Sequence, residues 1–363
     1  MGKVVKYVLG FIIVAVLAAG AFYFGYWVKT PQYTLNLIAN AVVQHDTKTF
    51  EEHVDLDNLF SKLFDDAIAA EFHVQTTPAN PFLQNQILGI KSSIVPVFAG
   101  MAKNFVQSGT INNVLDAAGD NSGRGGQLAE GMAVKLGVPY MVYKNITGVT
   151  KNGDNEAVVS LSIEDKQTGK ALPVRLKMVR LGDGTWQIKQ VANVQEYLEA
   201  RQAAIAAKLA ELNKPLQDKI DAAVRIETAG TKAPKFTFQT LMEGLPVTAI
   251  SSTFSLTNLG TRDILSVSGI VTVKDATGTV RFTDGFEAGS VPAGKTVSTH
   301  NSWALNPFVE DQQKLTSDTK QQITGSFAIT SVIFTDHTSL TLLDRLPTPP
   351  AANEAVSKGG TGK

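Results

Sequence analysis

Residues 141–191 read MVYKNITGVTKNGDNEAVVSLSIEDKQTGKALPVRLKMVRLGDGTWQIKQV, and within this stretch the apolar residues change their spacing. Upstream they recur every three or four positions. Here they alternate, which is the pattern of strands with one buried face. Four strands are predicted: Met141–Thr150, Glu156–Glu164, Ala171–Arg180 and Thr185–Val191. The breaks between them are Asn152-Gly153-Asp154, Lys166-Gln167-Thr168-Gly169 and Gly182-Asp183-Gly184. Glycine beside Asn or Asp supplies the positive φ that tight hairpins need. The stretch therefore reads as a four-stranded antiparallel meander.

Working back towards the N-terminus, the pattern is helical. Thr30-Pro31 is a cap followed by proline at the first helical position, and Leu35, Ile38, Ala39 and Val42 follow at helical spacing. Asp46 is placed to cap a short helix from Thr47, and Asp55 or Asp57 a third. That third helix carries the apolar stripe Leu56, Leu59, Phe60, Leu63, Phe64, Ala67 and Ile68. Ile87, Ile90, Ile94, Val97, Phe98 and Met101 predict a long helix that contains Pro96. Residues 119–126 (GDNSGRGG) read as a loop. Beyond the meander, Asn193 is placed to cap an Ala-rich helix that is bent or interrupted at Pro215.

Glu227–Lys235 (ETAGTKAPK) reads as a linker. After it come seven runs of strand character, Phe236–Glu243, Val247–Asn258, Ile264–Lys274, Thr279–Phe286, Thr296–Trp303, Gln322–Thr335 and Ser339–Leu343, which predict a β-sandwich. The immunoglobulin Cys-Trp-Cys signature is absent, so the strand order stays open. The tail, 347–363, has the composition of a disordered segment.

Near the N-terminus stand 22 uncharged residues, Tyr7–Val28, between Lys6 and Lys29. As a helix they would span about 33 Å, enough for a bilayer core. Tyr7, Phe11, Val14, Leu17, Phe22 and Trp27 would face lipid or its interface, and Lys3 and Lys6 favour a cytoplasmic N-terminus. The expectation is a single-pass anchor in the inner membrane, with the bulk of the protein extracytoplasmic. A cleaved signal peptide ending near Ala19-Gly20-Ala21 is the rival reading. The whole expected organisation is an anchor at 1–29, an α+β domain at 30–226, a linker at 227–235, an all-β domain at 236–346 and a tail.

The segment Tyr26-Trp27-Val28-Lys29-Thr30-Pro31-Gln32-Tyr33-Thr34-Leu35, then Ala41, Asp46, Phe50 and Val54-Asp55, resembles an uncharacterised bacterial family of single-pass proteins with an extracytoplasmic domain of unknown function. Leu176–Arg180 and Gly184–Ile188 look like the last hairpin of that domain. The resemblance implies location and architecture and carries no catalytic residues. At the level of fold, helices followed by a curved meander also resemble the nuclear-transport-factor-2-like cone.

Composition narrows function further. The 363 residues contain 33 Lys plus Arg against 33 Asp plus Glu, so no basic surface points to nucleic acid. There is no cysteine, which excludes disulfides, thiolate metal sites and cysteine nucleophiles. His45 and His53 with Asp46, Asp55 and Asp57 are the nearest approach to a metal-binding cluster, and caps and solvated faces account for the same residues. Ser298 and Ser302 share a strand face with His300, without a nucleophile elbow. His337 falls in a turn. Trp303, ahead of Asn306-Pro307-Phe308, is a candidate loop anchor. The candidate binding residues are thus His53, Asp55, Asp57 and Trp303. No cofactor is implied. The expected function is non-catalytic binding or scaffolding with an envelope protein partner. The alternatives are a small-molecule or lipid carrier using a pocket in the first domain, and a metal-dependent hydrolase.

Overall fold

The computed structural model describes residues 26–72, 81–109, 124–227, 236–239, 249–306, 308–317 and 323–348. The protein is α+β, with seven α-helices and three antiparallel sheets among these residues. The chain divides into two compact units, Met1–Ala206 with Pro347–Lys363, and Ala207–Leu346.

In the first unit each helix starts where its capping residue stands. The Thr30 hydroxyl accepts a hydrogen bond from the Tyr33 amide at 3.2 Å, and Pro31 opens α1 (Pro31–Gln44). Asp46 accepts from the Thr49 amide at 3.1 Å and opens α2 (Thr47–His53). Asp55 accepts from the Asn58 amide at 3.2 Å and opens α3 (Leu56–Phe72). α4 (Pro81–Ser108) carries Pro96 inside it, and α5 (Arg124–Leu136) follows. The last residues of the glycine-rich stretch, Arg124–Gly126, thus begin α5, while 119–123 lie outside the described residues.

The meander is β1 (Met141–Asn152), β2 (Glu156–Asp165), β3 (Lys170–Arg180) and β4 (Trp186–Val191), paired in that order. Gly153, Gly169 and Gly184 take positive φ in its three turns. Its inner face, with Ala157, Val159, Met178, Trp186 and Ile188, packs on Val54, Leu56 and Ala99. A second cluster, Phe64, Ile94, Phe98, Ala129 and Ala133, joins α3, α4 and α5, and Phe60 stacks on Phe98 at 5.4 Å. Each large side chain buried this way stabilises by about 1.5–3 kcal/mol.

α6 (Val194–Ala223) is continuous through Pro215, and the division between the units falls inside it. Asn193 does not cap it. Its side-chain oxygen accepts from the Arg175 amide at 2.8 Å and its amide donates to the Pro173 carbonyl at 3.0 Å, tying the helix start to β3. The carbonyl of Ala223 accepts from the Leu259 amide, and the chain passes directly into β5 (Val224–Glu227). Glu227 therefore closes a strand, and 228–235 lie outside the described residues.

The second unit adds β6 (Phe236–Gln239), β7 (Ala249–Asn258), β8 (Ile264–Lys274), β9 (Val280–Ala288), β10 (Thr296–Ala304), α7 (Glu310–Ser317), β11 (Thr324–Phe334) and β12 (Ser339–Thr341). One sheet runs β10-β7-β5 and the other β12-β11-β8-β9. β5 pairs with Asn258–Ser255 and β6 with Ser252–Ala249, so both lie on one side of β7 as a single interrupted strand. Ile250, Phe254 and Leu256 of the first sheet share a core with Val267, Val271, Phe286, Ile329 and Val332 of the second. Phe327 lies among four rings, with centroids at 4.4 Å to Phe254, 5.2 Å to Phe286, 5.8 Å to Phe236 and 6.2 Å to Trp303. Gly269 and Gly325 make room for this cluster. A Cβ on Gly269 would collide with the Ala328 carbonyl and the Phe286 ring, and one on Gly325 with the Thr272 carbonyl and the Phe236 ring.

The membrane placement expected from Tyr7–Val28 is corrected. Among the described residues no helix is long and apolar enough to cross a membrane. Tyr7, Phe11, Val14, Leu17 and Phe22 lie outside the described residues. Trp27–Lys29 form a 3-10 turn of the first unit. The Thr30 hydroxyl donates to the Trp27 carbonyl at 2.7 Å, and the Lys29 carbonyl accepts the Trp186 indole N–H at 2.9 Å. The end of the apolar run is thus hydrogen-bonded into a folded domain. The single-pass anchor, the inner-membrane localisation and the extracytoplasmic bulk are not supported.

Candidate interaction surface

Most of the residues singled out for chemistry turn out to be bonded within the fold. The buried His53 ring places Nδ1 3.0 Å from the Trp186 carbonyl, where its N–H donates. Asp55 accepts from Lys189 Nζ at 2.7 Å; burial raises its carboxyl, but Lys189 and the Asn58 amide outweigh that and hold it below its ordinary value. Asp57 is exposed in the first turn of α3. His45 ends α1 in the left-handed conformation with Nδ1 2.7 Å from the Val106 carbonyl. No group of three His, Asp or Glu among the described residues is placed to hold a metal. Trp303 is buried between the two sheets, its indole donating to the Gly285 carbonyl at 2.6 Å.

A buried ionic knot in the first unit is a structural element that sequence reading missed. Asp165 is 1% exposed and the Arg201 side chain 7%. Arg201 donates through Nε to Asp165 at 2.9 Å, through Nη1 to the Lys135 carbonyl at 2.9 Å and through Nη2 to Gln167 Oε1 at 3.1 Å. Asp165 also accepts from the Gln167 and Thr168 amides of the β2–β3 turn. One helical turn earlier, the Tyr197 hydroxyl donates to the Leu136 carbonyl at 2.7 Å. Burial pushes this phenol up to about 12, with Arg201 opposing and Asp165 adding to the shift. Lys135 and Leu136 end α5, so their carbonyls are orphans of that helix and need outside donors. Gly137, at φ 79, turns the chain there, where a Cβ would overlap the guanidinium. The knot fastens three elements and uses each carboxylate oxygen within itself, which identifies it as structural.

The surface that remains unaccounted for is the edge of β10. Open sheet edges invite pairing with other chains, and proteins block them with charge, bulges, short strands or covering segments. Each other described edge carries such a block. β1 has two register shifts and an ion pair from Lys144 to Glu164. β4 is bridged by Val54, and its Ile188 carbonyl accepts from the Asp55 amide at 3.0 Å. β12, β5 and β6 are three or four residues long. β9 carries Arg281, Asp284 and Glu287, and its Gly285 and Glu287 carbonyls accept from Trp303 Nε1 and Asn301 Nδ2.

β10 has none of these blocks. Its nine residues, TVSTHNSWA, contain no Asp, Glu, Lys, Arg, Pro or Gly and pair with β7 throughout without a shift. Thr296, Ser298, His300 and Ser302 are exposed, while Val297, Thr299 and Asn301 stay half-exposed although they point to the inner side. The outer face is a ladder of hydroxyls. Thr296 lies 2.9 Å from Thr257, the His300 ring 3.0 Å from Thr253 Oγ1, and Ser302 donates to Gln239 at 3.2 Å. Beyond the strand Phe308 is 91% exposed. Its amide donates to Asn306 Oδ1 at 2.9 Å, and the Asn306 amide donates to Gln312.

Sequence reading placed the strand but read His300 only as a possible catalytic base. Absence of charge along the strand could not have found the edge, since β7 and β11 are uncharged as well.

No family model matches the chain, and no curated protein matches it. Among solved structures, one described as the X-ray structure of Northeast Structural Genomics Consortium target SoR45 is similar at 15% identity, covering 35% of this chain and 88% of that chain with a TM-score of 0.19. A likeness of that size carries no argument about fold or function.

Proposed function

We propose that the protein is a non-catalytic binding or scaffolding protein that engages a polypeptide partner by strand addition at β10. The observation that supports this is the contrast between β10 and every other described edge. Main-chain hydrogen bonds along an added strand supply affinity, and alternate side chains supply selectivity. Phe308 supplies an apolar anchor next to it.

At a finer level of fold, the second unit reads as a β-sandwich. Counting β5 and β6 as one strand, the first, second and fifth strands form one sheet and the third, fourth, sixth and seventh the other, an order of immunoglobulin type. The first unit reads as a nuclear-transport-factor-2-like cone. Trp186, Met178, Val159 and Leu56 fill the space between its helices and sheet, so the carrier reading finds no observation in its favour. The hydrolase reading fares no better, since His53 and Asp55 are committed to Trp186 and Lys189.

A photoreactive residue introduced at Ser298 in cells producing the full chain tests the proposal. It should yield a covalent adduct with a polypeptide, and the same residue at Thr147 on the blocked strand β1 should not. Absence of any adduct at Ser298, or equal adducts at both positions, would overturn it.

A further inference from the structure

Resting on that strand-addition reading, we infer that the occupant of the β10 edge is the β10 strand of a second copy of this chain, paired antiparallel about a two-fold axis at His300. The evidence is the symmetry of the strand's chemistry around that residue. Folding TVSTHNSWA back on itself at His300 sets Thr299 against Asn301, Ser298 against Ser302, Val297 against Trp303 and Thr296 against Ala304. Hydroxyl meets hydroxyl at Ser298 and Ser302 and hydroxyl meets amide at Thr299 and Asn301, while Trp303 stays in the core of its own sandwich. These are favourable cross-strand pairs, and no formal charge opposes its like.

The same chemistry already joins β10 to its neighbour on the other side. Thr296 bonds Thr257 and His300 bonds Thr253 across that pairing. Adding a second β10 repeats the pattern and merges the two outer faces into one surface whose β10 and β7 residues are uncharged. This register also uses all nine residues, whereas any other centre leaves part of both strands unpaired. The contact is isologous, so it closes at two copies.

A nine-residue strand is about 30 Å long and covers a narrow strip. Such an interface falls short of the roughly 1,600 Å² of a standard stable complex, so covalent trapping reads it better than size alone. The chain has no cysteine, so single-cysteine variants report without background. In the full-length protein, His300→Cys should give a crosslinked dimer with a short bifunctional thiol reagent. Ser298→Cys alone and Ser302→Cys alone should each give roughly tenfold less, because a residue four positions from its own copy along the pair is about 13 Å away. Mixing differently tagged Ser298→Cys and Ser302→Cys proteins should restore the product as a heterodimer. Adding Thr299→Lys to His300→Cys should abolish it, since a charge on the inner side of an edge strand blocks pairing.

A monomeric His300→Cys protein with retained circular dichroism would overturn the inference. So would equal crosslinking by all three single variants. If His300→Cys stays monomeric while the photoreactive Ser298 protein captures a different polypeptide, the second copy is ruled out and strand addition stands. If neither captures anything, both readings fall.

Discussion

Replacing Arg201 by Met should unlatch the first unit. The change removes three donors at once, to Asp165, to the Lys135 carbonyl and to Gln167. Asp165 is 1% exposed and would keep only the Gln167 and Thr168 amides, at 2.8 and 3.3 Å. Leaving one partner of a buried pair uncompensated costs about 3–5 kcal/mol. At about 1.4 kcal/mol per decade, that is roughly two to three and a half orders of magnitude in the opening equilibrium. Adding Asp165→Asn should recover most of the loss, because a carboxamide oxygen still accepts the two turn amides and no charge is left buried. Hydrogen exchange of β2 and β3 amides measures this unit without interference from the other. An Arg201→Met protein within about 1 kcal/mol of the parent, the ordinary worth of one hydrogen bond, would refute the reasoning. A double variant no better than the single would refute it too.

Gly269→Ala should destabilise the second unit by about 1–3 kcal/mol or more through overpacking against the Ala328 carbonyl and the Phe286 ring, seen as faster hydrogen exchange of the β8 and β11 amides; unchanged exchange would show that the ring moves aside freely. Tyr197→Phe should cost about 1–3 kcal/mol by leaving the Leu136 carbonyl without its donor. The parent phenol ionises near 10 when unfolded and near 12 when folded, so parent stability should fall as pH rises across that interval, and the Phe variant should lack that slope in alkaline denaturation. Asp275 is held well below the ordinary carboxylate range by the Thr277 hydroxyl and by Arg281. Its contribution is present above the unfolded value of about 3.9 and is lost as pH falls below it, so acid melts of the second unit should lose that part of their slope in Asp275→Asn.

The local architecture was largely legible in the sequence. Thr30, Asp46 and Asp55 announced three helix starts because a cap is a short-range bond. Alternation and glycine turns announced the meander because both are properties of neighbouring residues. What stayed hidden depends on distant partners. The role of Asn193 is set by Arg175 and Pro173, not by the helix it precedes. The Arg201 knot joins residues 36 and 66 positions apart. Whether a strand is an edge is a fact about the whole sheet, so β10 looked like any other polar strand. The apolar opening run was misjudged at its end for the same reason. Nothing local to Trp27–Lys29 reveals that Trp186 would bond to that backbone.

Asn301 and Trp303 have a consequence beyond packing. They stopper the outward carbonyls of β9 with side chains taken from β10, so the sticky strand silences its neighbour. On the strand-addition reading, a molecule whose described edges leave one border adhesive stops growing once that border is filled. Exposing a second border would convert a closed couple into an open-ended thread. On this view, Asn301→Ala alone leaves β9 guarded by Arg281, Asp284 and Glu287, and the variant to watch for gelling and fibres at high concentration is one that also loses those charges.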